Sequence, residues 1–91
     1  MVKIVLPSIF AKVTNGEKEI SVSAATLSEA LTQLVTRYGE PFKTKIIDSS
    51  GNPKRFLNIY LNGRNVRFIN DLNTALTETD VVTILPSASG G

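Results

Sequence analysis

The sequence predicts an α+β domain in which one mixed sheet packs against a single main helix. Three observations indicate this class. Two pairs of strand-like segments lie near the two ends of the chain, one long amphipathic segment separates them, and an apolar segment at residues 81–85 follows. An amphipathic helix needs an apolar surface to cover, and one sheet provides it. The 91 residues suffice for one domain with one core.

The strand predictions come from alternating apolar and polar residues. The first pair is predicted at residues 2–6 and 19–23, and the second pair at residues 55–61 and 65–68. An Asn-Gly dipeptide, the strongest short hairpin signal, lies in each connection. Residues 72–76 predict one helical turn ahead of the closing strand.

The main helix is predicted from Thr26 to about Tyr38. Thr26 and Glu29 have the spacing of a capping box, which satisfies free N–H groups of the first turn. Gly39 and Pro41 predict its end. The apolar residues that recur at helical spacing are Leu27, Ala30, Leu31, Leu34, Val35 and Tyr38. Beyond Pro41, Phe42, Ile46 and Ile47 suggest a short helix or turn, and residues 48–53 an exposed loop.

The β-grasp arrangement has the predicted order of elements, which is hairpin, helix, hairpin and strand. There the first and last strands lie parallel at the centre of the sheet, which requires a long crossover, and the helix and second hairpin supply it. We therefore expect residues 1–86 to form a β-grasp domain and residues 87–91 a flexible tail that leaves the middle of the sheet. Phe68 and Leu72 are assigned to the core.

Composition excludes several kinds of chemistry. The chain contains no Cys and no His, which removes thiol nucleophiles, imidazole bases, disulfides and the usual zinc ligands. We expect no catalytic residue, no metal site and no enzymatic activity of the chain alone. The net charge of +2 is too small to indicate nucleic-acid binding, and apolar runs of about five residues predict no membrane span. The expected location is the cytoplasm.

The chain ends in Gly90-Gly91, preceded by the small residues Ser87, Ala88 and Ser89. Glycine has no side chain, so the terminal carboxylate can enter a narrow active site where a Cβ would collide with the walls. Five residues beyond Pro86 extend about 3.3 Å each, or roughly 16 Å. The tail is therefore suited to present Gly91 as a reactive acyl group.

Alternation also predicts an exposed apolar surface on the sheet. If the residues at even positions of the first and last strands face the helix, alternation places a second set of apolar residues on the opposite face of the sheet. An exposed apolar cluster at the root of the tail indicates partner docking, and the alternative is that some of these residues pack under loops or under residues 41–53. The members of this set are Val5, Phe56, Tyr60, Val81 and Leu85. Arg55, Arg64 and Arg67 are candidates to surround it and to meet an acidic partner, although ordinary solubilising charge is the more common role for any one of them.

Nearly all of the chain resembles the ubiquitin-like sulfur-carrier family, which includes the small subunit of molybdopterin synthase, the thiamin-pathway carrier and a thiocarboxylate carrier for cysteine synthesis, and the most specific part of the resemblance begins at Arg55. The similarity is greatest to the cysteine-pathway carrier. The residues on which it rests are Arg55, Phe56, Asn58-Ile59-Tyr60, Asn62, Val66-Arg67-Phe68, Asp80, Val82-Thr83-Ile84-Leu85-Pro86 and Gly90-Gly91.

This resemblance implies a role as a sulfur carrier without a bound cofactor. A partner of the ubiquitin-activating type would adenylate Gly91 with ATP, and a sulfur donor would convert the adenylate into a thiocarboxylate. A second, biosynthetic enzyme would accept the sulfur, for cysteine synthesis in preference to molybdopterin synthesis or tRNA thiolation. The resemblance also allows for a metalloprotease that removes a C-terminal extension, and for a monomer in the free state.

Two other functions remain open from the sequence. The first is a ubiquitin-like modifier, in which a lysine amine captures the activated Gly91. The second is a binding module with an inert tail, in which Phe56, Tyr60 and the arginines contact nucleic acid. The nearly balanced charge makes the second reading the weaker one.

Overall fold

The computed structural model describes residues 1–86, and the predicted tail of residues 87–91 lies outside the described residues. One mixed sheet has the strand order β2-β1-β5-β3-β4. Its strands are β1 Val2–Val5, β2 Glu19–Val22, β3 Leu57–Leu61, β4 Arg64–Asn65 and β5 Val81–Pro86. The helices are α1 Leu27–Tyr38 and α2 Glu40–Ile46.

The first and last strands form the centre of the sheet. β1 and β5 are parallel, with Ile4 opposite Val82 and Val5 opposite Thr83. β2 flanks β1 and β3 flanks β5, both in antiparallel pairs. The predicted α+β class and β-grasp arrangement are confirmed, and β5 ends in the interior of the sheet at Pro86.

Helix α1 begins at a side-chain cap. The Thr26 hydroxyl accepts the N–H of Glu29 at 3.2 Å, as the capping box predicts. The Glu29 carboxylate instead accepts the N–H of Ala25 at 3.2 Å, one residue before the usual donor. At the other end Gly39 has φ +83°, a conformation that favours glycine, and its N–H donates to the Val35 carbonyl. The predicted helix bounds are confirmed.

A second helix follows at once. Pro41 lies in the first turn of α2, where a missing N–H costs no intrahelical bond. Phe42 and Ile46 are fully buried, and the Phe42 ring lies 5.4 Å from the ring of Tyr38. Between residues 48 and 53 the chain makes the predicted exposed turn, in which the Asp48 carboxylate accepts two backbone N–H groups.

The predicted return strand at residues 65–68 is wrong in extent. β4 is only two residues long, and a 3₁₀ turn, Val66–Phe68, replaces the rest. The cause is local, because the Asn65 side chain accepts the N–H of Arg67 at 2.9 Å. Val66 is buried, but Phe68 is 82% exposed, so its assignment to the core is also wrong. Leu72 packs against the core with partial exposure.

The core lies between the sheet and the two helices. Its buried apolar residues are Val2, Ile4, Leu6, Phe10, Ile20, Val22, Leu27, Ala30, Leu31, Leu34, Phe42, Ile46, Leu57, Ile59, Val66, Leu76, Val82 and Ile84. The loop between β1 and β2 contributes Phe10 to this core. The same loop is tied to α1 by Glu17, whose carboxylate accepts the Tyr38 hydroxyl at 2.6 Å. Within residues 1–86, no helix is long and apolar enough to cross a membrane.

Candidate functional site

The face of the sheet turned away from α1 carries most of the predicted docking residues. Thr83 of β5 pairs with Val5 of β1 on one side and with Tyr60 of β3 on the other. Directly paired residues project to the same face, so these three side chains form one row across the central strands. Val81 and Leu85 lie two residues before and after Thr83 and share this face. We call these five residues the outer face.

The outer face is more polar at its centre than the predicted apolar set implies. Thr83 is absent from the predicted docking set because that set contains only apolar residues. The alternation along β5 nevertheless places Thr83 on the outer face. Leu85 is 42% exposed, whereas the other four are partly buried. On the same side of the sheet, Lys3, which pairs with Val81, lies 3.6 Å from Glu19 in an exposed ion pair.

Phe56 and Arg55 lie outside the strands. Both occupy the turn that precedes β3, where the Leu57 N–H donates to the Lys54 carbonyl at 3.0 Å. Phe56 is 46% exposed, and its neighbour Leu57 pairs with Pro86. These two predicted residues are therefore at the level of the tail root, beside the outer face rather than in its row.

The arginines do not form the predicted ring. The Arg67 guanidinium turns to the carbonyl of Leu57, with an Nη2 to oxygen distance of 3.4 Å. Arg64 pairs with Leu61, a residue that packs against the core, so its position is on the helix side of the sheet. The expectation that Arg64 borders the docking surface is therefore wrong, while Arg55 remains exposed near the tail root.

A hydrogen-bond network fixes the start of β5. The Asn62 side chain donates to the Asp80 carboxylate at 3.0 Å and accepts the Val81 N–H at 2.9 Å. The second Asp80 oxygen accepts the Thr77 N–H at 2.8 Å. The Asn62 bond, followed by the Thr77 bond, holds the pKa of Asp80 below its usual range. This network joins the β3–β4 turn to β5 and so orients the strand that leads to the tail.

The described residues contain no catalytic constellation. Within residues 1–86 there is no group of three or more Asp, Glu, His or Cys side chains able to hold a metal ion. A cleft of about 580 Å³ lies between the start of α1 and the segment after β4, and Ser28, Asn52, Arg67 and Asp71 are among its lining residues. It has no nucleophile paired with a base. The predicted tail residues Ser87, Ala88, Ser89, Gly90 and Gly91 lie outside the described residues.

Comparison with known proteins assigns the family. The model of the ThiS family matches residues 4–91, a range that includes both the outer face and the terminal glycines. The chain belongs to the ThiS family. Such proteins are ubiquitin-like sulfur carriers, so the resemblance noted in the sequence is confirmed.

Individual relatives agree with this assignment. The ThiS-family chain is 38% identical over 92 residues to the sulfur carrier protein CysO of Mycobacterium tuberculosis, covering 99% of this chain and 98% of CysO. The crystal structure of that CysO superposes with a TM-score of 0.86 at 37% identity, covering 96% of this chain and 99% of CysO. A chain from the Amycolatopsis orientalis BexX/CysO complex superposes with a TM-score of 0.88 at 31% identity, and each chain is covered completely.

A protein modifier also shares the fold. The small archaeal modifier protein 1 of Methanosarcina acetivorans superposes with a TM-score of 0.81 at 29% identity, covering 99% of this chain and 95% of that protein. The family match and the similarity to CysO nevertheless make this ThiS-family chain a sulfur carrier protein, which is a substrate of partner enzymes rather than a catalyst. Carriers of the CysO type act with partner enzymes, and the BexX/CysO complex is one such assembly.

Proposed function

We propose that this ThiS-family chain carries sulfur as a thiocarboxylate on Gly91, for use in cysteine synthesis. The observation that supports this most strongly is the similarity to CysO over 99% of the chain. The chemistry also suits a chain without Cys or His, because a carrier contributes its terminal carboxylate and the partners contribute the catalytic groups.

The proposed chemistry has two steps, both in partner enzymes. The Gly91 carboxylate attacks the α-phosphate of ATP and displaces pyrophosphate, which turns a poor electrophile into an acyl-adenylate. Hydrosulfide then attacks the carbonyl carbon, a C–S bond forms, and AMP leaves with the electrons of the broken C–O bond. The resulting thiocarboxylate is an ionised sulfur nucleophile. A second, biosynthetic enzyme takes this sulfur from the carrier.

The role of the folded body in this scheme is to dock. The outer face places Leu85 and Tyr60 on the strands that flank the tail root, with Phe56 and Arg55 beside them. A partner that covers this surface holds Pro86 at a defined distance from its active site. The tail then needs only to span that distance, which five residues do for separations up to roughly 16 Å.

Two other classes of acceptor and one processing enzyme are compatible with this scheme. A molybdopterin-forming or tRNA-thiolating acceptor would use the same thiocarboxylate, and a metalloprotease would be needed if the chain is made with an extension beyond Gly91. We place these reactions in the cytoplasm. The recipient is identified by testing which purified acceptor removes sulfur from the carrier.

A second candidate function is conjugation to lysines. The likeness to the archaeal modifier protein favours it, because that protein has the same fold at 29% identity. Chemically the two functions differ only in the nucleophile that meets the Gly91 adenylate, hydrosulfide in one case and a lysine amine in the other.

Adenylation is tested by pyrophosphate exchange with a purified activating enzyme of the ubiquitin-activating type. We expect ATP-dependent exchange with the full chain and none after deletion of Gly91, which leaves residues 1–86 intact. Gly90→Val should reduce turnover more than binding, because a branched Cβ obstructs a narrow channel while the body still docks. Exchange that survives deletion of Gly91 would contradict the proposal. ATP-dependent protein ladders in a cell extract would instead support the modifier function.

A further inference from the structure

The ladder between β1 and β5 stops at a proline. The Lys3 N–H donates to the Asp80 carbonyl at 3.0 Å, so the amides at positions 3, 5 and 7 point toward β5. The amide at position 7 would be the next donor in this series, and in the parallel register its acceptor would be the Ile84 carbonyl. Pro7 has no N–H, so this bond is missing.

The backbone at Pro7 is still extended. Pro7 has φ −75° and ψ 155°, an extended conformation that continues the direction of β1. On the other side of the strand, the Leu6 N–H still donates to the Lys18 carbonyl at 2.8 Å, so pairing toward β2 continues beyond Val5. The β1 strand therefore remains in position while its bonds to β5 end.

The next bond of the ladder is missing for two reasons. The Asn62 N–H donates to the Val81 carbonyl, so residues 81, 83 and 85 make their backbone hydrogen bonds toward β3. The backbone nitrogen of residue 86 therefore faces β1. That residue is Pro86, which lacks the donor, and its would-be acceptor, the Pro7 carbonyl, already accepts the Phe10 N–H at 3.1 Å. Two prolines on neighbouring strands thus remove two successive bonds.

The pairing toward β3 ends at the same level. β3 begins at Leu57, which is opposite Pro86, and the Leu57 N–H turns back to the Lys54 carbonyl. Leu85 and Pro86 are consequently held in the sheet by β3 alone, since the register with β1 ends at the pair Val5–Thr83.

From this we infer that Pro7 and Pro86 are positioning residues, which end the β1–β5 ladder and release the tail root so that Gly91 can enter a partner's active site. The functional part rests on the proposed sulfur-carrier chemistry. The structural part concerns the chain alone. With both N–H groups restored, the end of β5 would be bonded from both sides and the tail root would be stiffer.

Amide hydrogen exchange of the single variants Pro7→Ala and Pro86→Ala and of the double variant tests the structural part. In Pro7→Ala we expect the new amide at position 7 to exchange about tenfold or more slowly than an unstructured amide, because it gains the Ile84 carbonyl as acceptor. The new amide at position 86 should be protected less, since it must share its acceptor with Phe10. An amide at position 7 that exchanges at the unstructured rate would overturn the inference.

Activation kinetics of the same variants test the functional part. A stiffer root should lower kcat for adenylation by about fivefold per restored bond, with the dissociation constant of the docked body unchanged. Pro41→Ala is the matched control, because it removes a proline from the exposed first turn of α2 and should change neither quantity. A protected amide with an unchanged kcat would overturn the functional part. Absence of adenylation in the parent would overturn the proposed function and leave the exchange result standing.

Discussion

Leu85 should contribute measurably to docking with the activating enzyme. Complete burial of a leucine side chain is worth about 1.5–3 kcal/mol. Leu85 is still 42% exposed, so covering the remainder should stabilise a complex by about 0.6–1.3 kcal/mol. Leu85→Ala should therefore weaken binding by roughly three- to ninefold. In Leu85→Glu a buried charge adds a further penalty of at least about 1–3 kcal/mol.

Isothermal titration of each variant with the activating enzyme measures this effect. Ile69→Glu is the matched control, because Ile69 is 39% exposed and lies after β4, outside the outer face. We expect its dissociation constant to stay within about twofold of the parent value. A urea melt verifies that each variant is folded. A folded Leu85→Glu variant that binds like the parent would show that partners dock elsewhere, and Phe56 with Arg55 would be the next surface to test.

Three further predictions concern the body of the protein. Leu34→Ala should lower the free energy of unfolding by about 2–5 kcal/mol in a urea melt, because Leu34 is a fully buried residue of α1; a parent-like midpoint would mean that α1 does not cover the sheet. Thr74→Val should raise that free energy by about 1 kcal/mol, because the buried Thr74 hydroxyl has no hydrogen-bond partner in residues 1–86; a lower midpoint would reveal a partner. Burial and then the Glu17 carboxylate raise the pKa of Tyr38 from 10.0 to about 12, so stability should fall as pH rises from 10 to 12 while the unfolded chain ionises. Tyr38→Phe should lose less stability over that range, and equal losses in both proteins would contradict this assignment.

The central strands and α1 were predictable because several local signals agree there. Alternation along β1, β3 and β5 places the buried and exposed residues correctly, since a strand with one buried face must alternate. The capping residue Thr26, the apolar stripe and Gly39 all indicate the same helix. The parallel pairing of β1 with β5 was predictable from the order of the elements. Two parallel neighbouring strands need a long crossover between them, and the helix and the second hairpin provide it.

The region after β3 was harder to predict for a physical reason. Residues 65–68 alternate like a strand, but the Asn65 side chain offers the Arg67 N–H a local acceptor, and this bond competes with pairing to β3. The resulting 3₁₀ turn buries Val66 and exposes Phe68. Alternation does not distinguish these outcomes, because both begin with the same Asn-Gly turn.

The candidate site was predictable in part. The outer face could be assembled from alternation, but Thr83 at its centre is polar and a search for apolar residues omits it. The position of Arg64 depends on the β3–β4 register, and that of Arg67 on its bond to the Leu57 carbonyl. The spacing of the arginines in the sequence indicates neither the β3–β4 register nor the hydrogen bond from Arg67 to the Leu57 carbonyl.

The central claim is that Gly91 carries sulfur, and intact mass spectrometry tests it most directly. The chain is incubated with its activating enzyme, ATP and hydrosulfide, and a variant lacking Gly91 is treated in parallel. Replacement of one carboxylate oxygen by sulfur should add about 16 Da to the full chain, in its C-terminal peptide, and nothing to the variant. A full chain that is adenylated yet never gains this mass in the presence of hydrosulfide would contradict the sulfur-carrier mechanism.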